Sequence, residues 1–73
     1  MGKPAFNDAV IACLSEIHKQ LVEAAQIAKA AEACALAGRV AEAITVSMDI
    51  EQLIYEAGRL HDAASLMNRL AHD

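Results

Sequence analysis

Apolar positions between Ala43 and Ala71 recur in alternating steps of three and four: Ala43, Val46, Ile50, Leu53, Ala57, Leu60, Ala64, Met67 and Ala71. That spacing keeps one stripe of a helix in line with a neighbour, so it predicts a long α-helix lying along a partner helix. The first half of the chain carries a matching stripe at Val10, Leu14, Ile17, Leu21, Ala24, Ala28, Ala31 and Ala35. Phe6, Cys13, Ile27 and Cys34 widen it on one side, as in a bundle rather than a two-stranded coil. Glu16, Lys19, Glu23, Gln26 and Lys29 fill the opposite face. Glu16–Lys19 and Lys29–Glu32, three residues apart, are its expected charge pairs.

Asn7 is a good N-cap residue, Asp8 suits the positive end of a helix, and Phe6 and Ile11 occupy the positions of a hydrophobic staple. Helix 1 is therefore expected over 7–37 after a lead-in at 1–6, with Pro4 in its first turn if it begins earlier. Gly38 is the expected stop, because glycine accepts the left-handed conformation at a helix end. The turn falls at 38–39 and helix 2 over 40–72, without a Ser, Thr, Asp or Asn to cap its start. Residues 1–73 thus make a single all-α domain, an antiparallel helical hairpin with arms of about 45–50 Å. Near the turn, helix 1 offers Ala24, Ala28, Ala31 and Ala35 against Val46, Ile50 and Leu53. Farther out, Leu14, Ile17 and Leu21 meet Ala57, Ala64 and Ala71, so small opposes large along the whole seam.

A second glycine suggests an alternative. Residues 37–43 (Ala-Gly-Arg-Val-Ala-Glu-Ala) and 57–63 (Ala-Gly-Arg-Leu-His-Asp-Ala) are near copies. Both resemble the turn between the two helices of a tetratricopeptide repeat, with a Gly, a bulky residue two on and an Ala five on. The resemblance implies a three-helix array turning at Gly38 and Gly58, a small adaptor that binds a peptide in a concave face. The spacing of the copies differs from that family's 34-residue period. The helix 2 stripe passes Gly58 without slipping, and a helical glycine there costs only about 1 kcal/mol. The hairpin is accordingly the leading reading.

Helix 2 carries more hydrophobe than one seam uses. Ile44, Met48 and Tyr55 lie on a second face, Leu66 and Leu70 continue it obliquely, and Ile54 sits between the stripes. These six are the candidate interface residues, since a sizeable exposed apolar patch marks an interaction site. A dimer of hairpins, forming a four-helix bundle, would cover them.

Composition supports self-association. The chain is 56% hydrophobic, too high for a disordered tail, yet it has one Tyr, one Phe and no Trp. Much of its apolar content is alanine, which buries little area, and a chain of 73 residues builds a modest core. A net charge of −4, with Lys3, Lys19, Lys29, Arg39, Arg59 and Arg69 scattered, disfavours nucleic acid. No run reaches the length of a membrane span, and no signal peptide is expected. Cys13 and Cys34 lie about 30 Å apart on one helix, too far for a disulfide with each other. Two lone thiols suit a reducing compartment, so a cytoplasmic location is expected.

Candidate chemistry is sparse. His18, His61 and His72 are preceded three residues earlier by Ser15, Gly58 and Arg69, so the Glu-x-x-His motif of di-iron bundles is absent. Neither cysteine lies one turn from a histidine, and no zinc set forms. Ser15 and Ser65 lack a local His-acid partner, and there is no phosphate loop. His61-Asp62 resembles the phospho-accepting pair in the dimerisation and phosphotransfer domains of sensor kinases, which are also dimeric helical hairpins. That resemblance implies phosphotransfer through His61. It ends after two residues, because Ala63, Ala64 and Ser65 depart from the family's pattern. The sequence thus points to a non-enzymatic, homodimeric protein-interaction module, an adaptor or regulator without cofactor or metal, open to a further protein partner.

Overall fold

A computed structural model describes residues 3–72. Two helices, α1 (Lys3–Leu36) and α2 (Val40–Ala71), run antiparallel and pack along their full length. The result is a rod whose Cα extents are 57 × 14 × 11 Å. The hairpin expectation is met, and the three-helix array is not. α2 passes through Gly58 unbroken, and a Cβ added there would touch nothing within 4 Å.

Helix α1 begins at Lys3, not at residue 7. Pro4 explains the early start: its ring presets a helical φ, and its missing N–H falls in a turn where that group has no intrahelical acceptor. Asn7 is therefore inside the helix rather than capping it, and the proposed staple of Phe6 and Ile11 does not form a helix entrance. Residues 1 and 2 of the expected lead-in lie outside the described residues.

The turn occupies Ala37, Gly38 and Arg39. The Arg39 amide donates to the Cys34 carbonyl at 3.1 Å, and the Gly38 amide donates to Ala35 at 2.9 Å. This pair of nested bonds is the Schellman arrangement, which satisfies carbonyls that the end of a helix leaves open. It places Gly38 at φ +90°, a region where an L side chain meets its own backbone. Arg39 stands at the N-cap of α2 and makes no side-chain cap bond. Instead its guanidinium pairs with Glu42 at 3.5 Å, in the first turn. That is the ion pair found among the described residues; Glu16–Lys19 and Lys29–Glu32 do not close.

The seam of α2 follows its predicted stripe. Ala43, Ala57, Ala64 and Ala71 are buried, and Ile50, Leu53, Leu60 and Met67 are half-buried. Val46 departs from it, remaining exposed while Ser47 takes the inward position. The seam of α1 differs more. Its inward residues are Phe6, Val10, Cys13, Ile17, Gln20, Ala24, Ile27, Ala31 and Cys34. Val10, Ile17, Ala24, Ala31 and Ala35 of the predicted stripe do turn inward, joined by the flanking Phe6, Cys13, Ile27 and Cys34 and by Gln20. Leu14, Leu21 and Ala28 are displaced to the flank and exposed. Ala24 and Ala31, common to both stripes, are the buried residues of α1, where small side chains allow a close approach of the two helices.

Candidate interaction surface

Among the described residues six are buried, and all are alanine: Ala24, Ala31, Ala43, Ala57, Ala64 and Ala71. Among the described residues no larger side chain is fully enclosed. Thirteen large hydrophobic residues are exposed instead. A pair of helices can shelter one stripe from each, and this chain carries more than one.

Helical phase sorts the surplus. Positions four residues after Val10, Ile17 and Ala24 on α1, and four after Ala43, Ile50 and Ala57 on α2, turn to the same broad side of an antiparallel pair. Leu14, Leu21 and Ala28 stand there on α1, and Ile54 and His61 on α2, with the inward-turned Ser47 at the edge. Positions one turn farther round on that side add Ile11 and His18 on α1 and Ile44, Glu51 and Gly58 on α2. Ile11, Leu14, Leu21, Ile44 and Ile54 are 61%, 50%, 45%, 58% and 51% exposed, so nothing in the hairpin covers them. The opposite broad side is polar. It presents Glu16, Lys19, Glu23, Asp49, Glu56 and Arg59.

The six predicted interface residues therefore divide. All are exposed, as an interface in an isolated chain requires. Ile44 and Ile54 share the apolar side with Leu14 and Leu21. Met48 and Tyr55 project from the back of α2, away from α1. Leu66 and Leu70 fall on the polar side, near the open end. Leu14 and Leu21 are the residues that sequence reasoning assigned elsewhere. Their signal was present in the regular alternation from Phe6 to Cys34, which is interrupted only by Gln20.

Gln20 is the polar member of the seam. Its Nε2 donates to the Glu56 carboxylate at 3.0 Å across the hairpin. Gln52 donates to the other carboxylate oxygen at 2.8 Å from the preceding turn of α2. The Gln20 Oε1 is buried and has no partner. A single inter-helix bond of this kind sets register, since sliding either helix by a turn would break it.

The remaining polar groups offer little chemistry. Cys13 and Cys34 are free and half-buried on the seam; the Cys34 thiol lies 3.4 Å from the Arg39 carbonyl, onto which it donates. His18, His61 and His72 are exposed. Among the described residues no group of three potential ligands could hold a metal ion. An open depression of about 310 Å³ is lined by Glu51, Gln52 and Tyr55. All three belong to α2, so no second element encloses it. Among the described residues, no helix is long and apolar enough to cross a membrane. No family model, curated protein or solved structure matches the chain.

Proposed function

We propose that the chain is a non-enzymatic protein-interaction module that works as a homodimer, two hairpins making a four-helix bundle. One observation carries the reading: among the described residues, the hairpin encloses nothing larger than alanine and leaves thirteen large hydrophobic residues in water. Exposed apolar surface on that scale favours association, at about 25 cal/mol for each Å² removed from water. The bundle would act as an adaptor or regulator, holding the outer ridge with Met48 and Tyr55 toward a further protein partner. Free thiols at Cys13 and Cys34 fit a cytoplasmic setting. Sedimentation equilibrium tests the reading: a folded species of twice the 7.7 kDa chain mass supports it. A stable, folded monomer at micromolar concentration would refute it.

A further inference from the structure

We infer that the second copy docks on one particular side of the hairpin, the broad face bearing Ile11, Leu14, Leu21, Val40, Ile44 and Ile54; this rests on the homodimer reading above. Four observations select that face and that occupant.

The first is area. A compact monomer of this mass exposes about 4,300 Å². The hairpin exposes 5397 Å², an excess of about 1,100 Å² over that scaling. A standard protein interface removes about 800 Å² from each partner, so one face-to-face contact with a twin accounts for the surplus.

The second is charge. The apolar face carries Glu32 and Glu51 as its charged residues, both toward the turn-proximal half. The opposite face carries Glu16, Lys19, Glu23, Asp49, Glu56 and Arg59. Desolvating the latter would strand charges, whereas desolvating the former strands few.

The third is the distribution of size within the face. On α1 the large aliphatics lie from the middle to the open end, at Ile11, Leu14 and Leu21, and alanines at 25, 28 and 35 lie toward the turn. On α2 the order reverses, with Val40, Ile44 and Ile54 toward the turn and Gly58, His61 and Ser65 beyond. A two-fold axis running along the rod stacks α1 on α2 of the twin, level by level. A two-fold axis running across the rod stacks like helices end to end. Both operations set the large half of one helix on the half of its mate that lacks large aliphatics. A diagonal pattern of this kind is self-complementary, as a closed two-fold contact demands.

The fourth is the phase of α1. Placing Gln20 on the seam and Leu21 on the flank forfeits hydrophobic burial within the hairpin. The loss is recovered if Leu21, near mid-length, meets the twin close to the two-fold axis.

Thiol labelling tests this on cysteine variants that sedimentation shows to remain dimers. In a Cys13→Ala, Cys34→Ala background, Leu21→Cys, Gln26→Cys and Leu66→Cys are each reacted with a maleimide. The expected result is labelling at position 21 slowed about tenfold or more relative to position 26, with the protection lost on dilution into the monomer range. Position 66 should react as fast as position 26. Alongside it, sedimentation should give a monomer for the double variant Leu14→Gln, Leu21→Gln and a dimer for Leu66→Gln, Leu70→Gln. A wild-type dimer that protects position 66 and leaves 21 open overturns the choice of face alone. A wild-type monomer overturns the homodimer reading itself.

Discussion

At the scale of single residues, Gln20 exposes the competition between stability and specificity. Its amide nitrogen reaches Glu56, but its oxygen is buried without a donor. A buried unpaired acceptor costs about 1–3 kcal/mol, which offsets the roughly 1.5–3 kcal/mol of a hydrogen bond to a charged carboxylate, so the apolar burial that a leucine adds on the seam decides the balance. Glu56 would keep its bond from Gln52 if Gln20 were removed. Gln20→Leu should therefore raise the unfolding free energy by about 1 kcal/mol, read from the midpoint of urea denaturation with the slope unchanged. A fall in the midpoint would mean that the cross-helix bond outweighs the orphaned oxygen. The expected penalty of the substitution is in register, because the remaining seam of alanine and aliphatic side chains slides with little loss.

At the scale of the two helices, what the sequence disclosed depended on how unambiguous each stripe was. In α2 the predicted alternation corresponds to the residues that turn inward, apart from Val46 and Ser47. Gly38 as the stop was equally legible, since few residues other than glycine hold φ +90° at low cost. In α1 two regular stripes share Val10, Ile17, Ala24 and Ala31 and differ by one residue in their other members, so their axes lie about 50° apart, and the leucines favour the one that the structure turns to the flank. Neither stripe is preferred by a helix alone; the choice belongs to the packing of the pair. The start of α1 was misplaced for a related reason: Asn7 has the chemistry of a cap, but Pro4 had already begun the helix. The candidate surface follows from the same choice: Ile44 and Ile54 share the apolar side with Leu14 and Leu21, which the sequence pattern alone places in the core. The turn itself allows a sharp test. Gly38→Ala should destabilise the hairpin by about 1–2 kcal/mol, measured by thermal or chemical denaturation. Open space surrounds the position, so the loss would be one of backbone conformation rather than collision. Gly38→Asn should lose less, since asparagine enters the left-handed region more readily than alanine. Equal losses for the two would point instead to a contact at the turn.

At the scale of the whole molecule, a rod 57 Å long with an alanine interior is an unfinished core. Each helix gives one stripe to its neighbour, and the second stripe has nowhere to go within one chain. Folding and association should consequently be one event, with little folded monomer at equilibrium. That coupling has a measurable signature, because mass action makes the melting temperature of a two-chain unit depend on total concentration. A tenfold increase in concentration adds about 1.4 kcal/mol to the stability of the assembled pair. The unfolding entropy of a 73-residue chain paired with its twin is about 0.3 kcal/mol per kelvin. The midpoint should therefore rise by about 4–5 °C for each tenfold increase, followed by circular dichroism at 222 nm, the standard helix band. In the Leu14→Gln, Leu21→Gln variant the same measurement should show a much lower midpoint with no dependence on concentration. If the wild-type midpoint is independent of concentration, the alanine seam alone sustains the fold, and the apolar face must serve a partner other than a second copy.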